Sequence, residues 1–129
     1  MRGYLGSDPN PMERWDRFVS EPPPYIAFDT ETFSLQDRRL LGIGASIGKE
    51  SFWVTIADQD FHRMVALIQS PTIHKVYHNA PFDLRVLRPF DPSLVNIEDT
   101  AVMCRIQGKV AVLEEAAFWV NVEVESAGA

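Results

Sequence analysis

The sequence predicts an α/β domain on a mixed sheet: three antiparallel strands first, parallel strands after them, and helices covering the sheet. Three observations predict it. Apolar runs of strand length, "YIAF", "RLLGIGASIG" and "SFWVTI", come first, and only a turn separates the last two. Downstream, the apolar spacing becomes helical in "DQDFHRMVALIQSP" and again in "NAPFDLRVLRPF". Between these stands another strand-like run, "TIHKVYH", and strands that alternate with helices belong to a parallel arrangement.

Residues 1–11 are rich in Gly, Pro, Asn and Asp and are expected to be loose. Met12, Trp15 and Val19 share a helical stripe in "PMERWDRFVS", which predicts a short docked helix. "EPPP" ends that helix and stiffens the approach to the first long strand. Residues 25–28 lie between prolines and carboxylates, the pattern of a central strand buried on both faces. The next two runs form a hairpin with its turn at Gly48, Lys49 and Glu50. Phe61, Val65 and Ile68 then fall on one helical face, and Pro71 stops the helix. After "TIHKVYH", Asn79 is expected to cap a helix with Pro81 in its first turn, and Phe82, Val86 and Phe90 recur every fourth residue. "LVNI" predicts one more short strand. A helix is expected from residues 99–100 to Gly108, and another carries Leu113, Ala117 and Val120 on its inner side. The chain divides into an N-terminal extension, residues 1–24, with a short helix and a Pro-rich linker, and a domain over residues 25–129.

A chain of 129 residues, 46% hydrophobic, suits one domain with a modest core. No apolar run is long enough to span a membrane, and the first residues lack an apolar signal core, so a cytoplasmic protein is expected. The single Cys104 has no internal partner and reads as a small buried hydrophobe. A net charge of -6 argues against a basic phosphate-binding surface. It does not argue against a nucleic-acid enzyme, because carboxylates that hold divalent ions reverse their local sign once loaded.

The carboxylates carry the chemistry. Residues two apart on a strand share a face, so Asp29 and Glu31 in "FDTET" project side by side. Such a pair repels unless a cation or proton lies between its members, and oxygen-only donors suit Mg²⁺ or Mn²⁺. By itself D-x-E also begins ordinary solvated turns. Asp83 stands in the first turn of a helix that directly follows a strand. If that strand neighbours the first, Asp83 opens at the same sheet edge and becomes a third carboxylate. Acids are favoured in first turns anyway, so Asp83 alone has a plainer reading as a partner of the helix dipole.

Together "FDTET" and "HNAPFDLRVL" resemble the first two motifs of the DEDD-type 3′–5′ exonucleases, the proofreading domains of DNA polymerase I and their phage relatives. Asn79, Phe82 and Asp83 match the second motif, and "EDTAVMCRIQG" resembles the helix that comes after it. The resemblance covers residues 25 to about 121 and implies a ribonuclease H-like fold. It implies metal-dependent hydrolysis of the terminal phosphodiester at a single-stranded DNA 3′ end, with two cations, Mg²⁺ or Mn²⁺. Asp29, Glu31 and Asp83 are the implied catalytic metal ligands, and Thr32, Leu35, Asn79 and Phe82 the implied substrate contacts. Leu35 and Phe82 also have a plain core-packing reading.

The family carries a third motif, a Tyr or His four or five residues before a final Asp. After Asp83 the only aspartates are Asp91 and Asp99, and neither has such a partner. His62, His74 and His78 are not at the missing position, and His78 reads as a hydrogen-bonded strand-end histidine. The expectation is thus an exonuclease domain that is C-terminally incomplete and weak or inactive alone. A polymerase domain or a second chain would supply the remaining helix. The alternative is a non-catalytic module of the same fold that binds a nucleic-acid end or a partner.

Overall fold

The computed structural model describes residues 1–101. The helices expected beyond residue 101, and Cys104, lie outside the described residues. No helix among those described is long and apolar enough to cross a membrane.

Six strands and three helices alternate as β1 (Gly3–Leu5), α1 (Pro11–Ser20), β2 (Tyr25–Thr32), β3 (Leu40–Ser46), β4 (Ser51–Thr55), α2 (Phe61–Gln69), β5 (His74–Tyr77), α3 (Ala80–Leu87) and β6 (Ile97–Asp99). The sheet order is β1-β4-β3-β2-β5-β6. The β2, β3 and β4 meander is antiparallel, as expected, and β5 runs parallel to β2. β6 runs parallel to β5. Hairpin closure leaves Gly48 at φ 97°, a backbone conformation that suits glycine.

The N-terminal residues are not loose. β1 pairs antiparallel with β4 and completes the sheet edge. Tertiary bonds recruit it: the terminal amine donates to Asp60 at 2.6 Å, and the Tyr4 hydroxyl donates to Glu50 at 3.0 Å. Arg14 of α1 closes an ion pair on the same buried Glu50.

Alternation along β2 buries Ile26, Phe28 and Thr30 on one face, while Asp29 and Glu31 are exposed on the other. The strand is central, but it is not the apolar strand buried on both faces that residues 25–28 suggested. Its buried face continues through Ile43 and Ala45 of β3 and Phe52 and Val54 of β4. The helices complete this core with Trp15 and Phe18, with Met64, Leu67 and Ile68, and with Val86 and Leu87. Two helical faces therefore differ from the expected ones. Met12 is half exposed while Phe18 is buried, and Met64 and Leu67 replace Phe61 and Val65 as the innermost residues of α2. Lys75 is also fully buried, its Nζ donating to the Ser70 and Ile73 carbonyls at 2.6 and 2.7 Å, and burial lowers its pKa.

On the opposite face Trp53 lies beside Gly42 and Gly44 of β3. A Cβ on Gly42 would come within 2.6 Å of the Val54 carbonyl and 2.7 Å of the Trp53 ring, whereas one on Gly44 would meet nothing closer than 3.6 Å. Gly42→Ala is therefore expected to destabilise the fold by about 1–3 kcal/mol, since backbone must shift. Gly44→Ala is expected to be nearly neutral, and urea unfolding of the two variants checks the contrast.

Candidate functional site

The site is built where β2 ends beside β5. Asp29 and Glu31 leave the same face of β2 on either side of Thr30, and the register shifts immediately after Glu31. Asp29 is exposed as a residue, yet partial desolvation of its carboxyl and then the Glu31 charge raise its pKa; a Thr30 backbone bond and His78 act the other way. That repulsion is the electrostatic sign of a site suited to a cation.

Because β5 pairs parallel with β2, the chain leaving it turns over the same sheet edge, and α3 starts there. Asp83 in its first turn is only 4% exposed. Its Oδ1 accepts a 2.6 Å bond from the Thr30 hydroxyl. Burial pushes its pKa up to about 7 against the pull of that bond, and the charges of Asp29 and Asp99 add to the rise. The fully buried Tyr77 hydroxyl, unpartnered among the described residues, has its pKa raised by burial and then by Asp83.

The structure therefore brings Asp29 and Glu31 together and places Asp83 within electrostatic reach of Asp29. It does not gather the three: among the described residues no set of three acidic, His or Cys side chains stands close enough to hold one ion. In kind, the donors fit a hard divalent cation, since all are carboxylate oxygens and two of them repel. Of the expected substrate contacts, Thr32 donates to the Ser34 carbonyl at 3.1 Å, and Leu35 is 90% exposed on the β2–β3 loop. Phe82 is half-buried, with the Arg38 guanidinium 6.0 Å from its ring centroid. Leu35 is thus not the core residue of its plainer reading.

Asn79 occupies the position before α3, but its side chain makes no capping bond, because its backbone is left-handed at φ 74°. The cap comes from β6. Asp99 accepts the Asn79 and Ala80 amides at 2.9 Å each, and also the Ala101 amide at 3.0 Å. One carboxylate thus holds α3 and the turn beginning at Thr100, satisfying amides that helix starts leave free. His78 is hydrogen-bonded through Nδ1 to the Thr100 hydroxyl at 3.0 Å. Thr30, Arg38 and the capping role of Asp99 were not singled out from sequence. For Thr30 the signal was present: the alternation that pairs Asp29 with Glu31 sends the residue between them to the helix-facing side. A groove of about 370 Å³ crosses the other face, lined by Ala27, Asp29, Gly44, Trp53, His78 and Thr100 among others, and so runs up to Asp29.

Residues 8–112 match the family model of 3′–5′ exonucleases. Among solved structures, Brucella melitensis NrnC with bound Mg²⁺ is 27% identical with a TM-score of 0.55, over 72% of this chain and 51% of that one. NrnC bound to pGG is 25% identical with a TM-score of 0.58, over 72% of this chain and 50% of that one. Escherichia coli RNase D, an exoribonuclease involved in structured RNA processing, is 22% identical with a TM-score of 0.58, over 86% of this chain and 30% of that one. That last likeness is one of fold, and it bears out the ribonuclease H-like expectation. The chain spans about half the length of the NrnC chains it matches. No curated protein matches it. With the motifs, the mixed sheet and a family match over most of its length in agreement, the chain belongs to the 3′–5′ exonuclease family.

Proposed function

We propose that this domain removes nucleotides from the 3′ end of single-stranded DNA, with Asp29, Glu31 and Asp83 holding two divalent cations, Mg²⁺ or Mn²⁺. The observation that carries the reading is the placement of Asp29 and Glu31 on one face of β2 with Asp83 at the start of the helix after the adjacent parallel strand. When bound, such ions supply charge neutralisation at the phosphate and a more acidic water. In the reaction water adds to phosphorus and the bond to the 3′ oxygen breaks. A nucleoside monophosphate leaves, and the shortened strand keeps a 3′-hydroxyl. The chain's own residues bind and orient the strand. Phe82 offers a ring at the rim of the site, and Arg38 beside it offers a cation to the strand's backbone. Asn79, the half-buried Thr32 at the end of β2 and the exposed Leu35 on the loop after it complete the proposed path of the terminal nucleotide.

Among the described residues no three acidic, His or Cys side chains gather around one point, and that observation favours a second reading, a module that binds a strand end without cleaving it. Assays with 3′-labelled single strands in Mn²⁺ separate the two. Release of labelled monophosphate, lost in Asp29→Asn and in Asp83→Asn, supports the enzyme. Binding without release supports the module, and neither binding nor release defeats both. Running DNA and RNA strands of one sequence in parallel sets the substrate class, because NrnC has been seen with pGG and RNase D is an exoribonuclease.

A further inference from the structure

We propose that Thr30 is a positioning residue for the cation site: its hydroxyl holds one oxygen of Asp83 so that the carboxylate is ordered before an ion arrives. This rests on the metal-binding role proposed for Asp83. It also explains why a threonine stands between two acids.

Asp29 and Glu31 occupy one face of β2 and Thr30 the other, so Thr30 itself is no candidate ligand of the acidic pair. Its side chain is buried, and its Oγ1 reaches Asp83 Oδ1 at 2.6 Å across 53 positions of sequence. The strand fixes it further, because Thr30 pairs with Ile43 in the antiparallel ladder and a β-branched residue has a stiff χ1. Asp83 is held from the other end too. The Asp99 carboxylate accepts the amides of Asn79 and Ala80 and so pins the start of α3. Backbone and side chain of Asp83 are thus both restrained, while its Oδ2 has no hydrogen-bond partner among the described residues. Hydrogen-bonding the second oxygen of a ligating carboxylate is the usual way that outer residues raise metal affinity, because ordering is not then charged against binding.

Titration calorimetry with MnCl₂ on the whole chain tests this without recourse to activity. Thr30→Val keeps the shape and removes the hydroxyl, Thr30→Ser keeps the hydroxyl, and Thr30→Ala removes it without any added bulk should the valine variant fail to fold. Mn²⁺ affinity is expected to fall about 10–100-fold in Thr30→Val and Thr30→Ala and to stay close to wild type in Thr30→Ser. In an Asp83→Asn background, Thr30→Val is expected to weaken binding no further, a coupling that general destabilisation does not produce. Unchanged or tighter binding in Thr30→Val overturns the proposal while leaving the metal site standing, and so does equal weakening in Thr30→Ser. Absence of Mn²⁺ binding by the wild-type chain overturns the metal site and the positioning role together.

Discussion

Asp83→Asn is expected to make the ion-free chain more stable at pH 8, and to flatten its dependence on pH. Asp83 is buried and its pKa is pushed up to about 7 from 3.8, chiefly by burial, with the Thr30 bond opposing and the Asp29 and Asp99 charges adding. A carboxyl whose folded pKa is raised favours the protonated native state. The favourable contribution is therefore complete below pH 4 and is lost as pH rises through 7, where the buried group must ionise. A difference of about three pKa units corresponds to about 4 kcal/mol. Asparagine keeps an oxygen for the Thr30 hydroxyl and carries no charge at any pH. Melting curves in chelator at pH 5, 6, 7 and 8 should therefore show the wild type losing stability and Asp83→Asn holding level between pH 5 and 8. Parallel slopes for the two proteins would show that Asp83 is not the strained group. A chain stabilised by losing a carboxylate that the proposed reaction needs would show the stability–activity conflict expected at a built site.

Much of the fold and the acidic pair was legible in the amino-acid pattern because period-two and helical spacing leave marks on the sequence. The meander, the parallel β5 and the shared face of Asp29 and Glu31 all derive from alternation and turn chemistry. What was not legible depends on partners distant in the chain. β1 is a strand only because β4, Asp60 and Glu50 receive it. α1 buries Trp15 with Phe18 rather than with Met12, since a residue three along and one three back from Trp15 lie on nearby parts of the same helix surface and only docking chooses between them. β6 lies at Ile97–Asp99, later than the apolar "LVNI", because Asn96 turns the chain at φ 58° and Ile97 finds Lys75 in register while Leu94 and Val95 stay exposed. The Asp99 cap and the Thr30 bond span 20 and 53 positions, beyond the reach of any local pattern.

Mn²⁺ is expected to flatten the pH slope of the ion-free chain. Loading requires the ionised carboxylates that burial and mutual repulsion oppose in the absence of the ion, so protons and the cation compete for the same oxygens. Affinity should therefore rise from pH 5 to pH 8, over the range in which the ion-free chain weakens. At a free concentration one hundred times the dissociation constant, binding to the native state alone adds about 2.7 kcal/mol. Asp29→Asn should lose most of that gain, because it removes one member of the acidic pair and lowers the charge that attracts the ion. Glu13→Gln, an exposed acid on α1, removes the same charge elsewhere and should keep the gain. Melting temperatures of the three proteins with and without Mn²⁺, at both ends of the pH range, supply the comparison. If the ion raises all three equally, it acts on diffuse negative charge, and the β2 acids have no special claim on it. If only Asp29→Asn fails to respond, and the wild-type response grows with pH, proton release from Asp83 is coupled to cation capture beside the β2 acids. The unfavourable electrostatics of the empty site would then drive its filling.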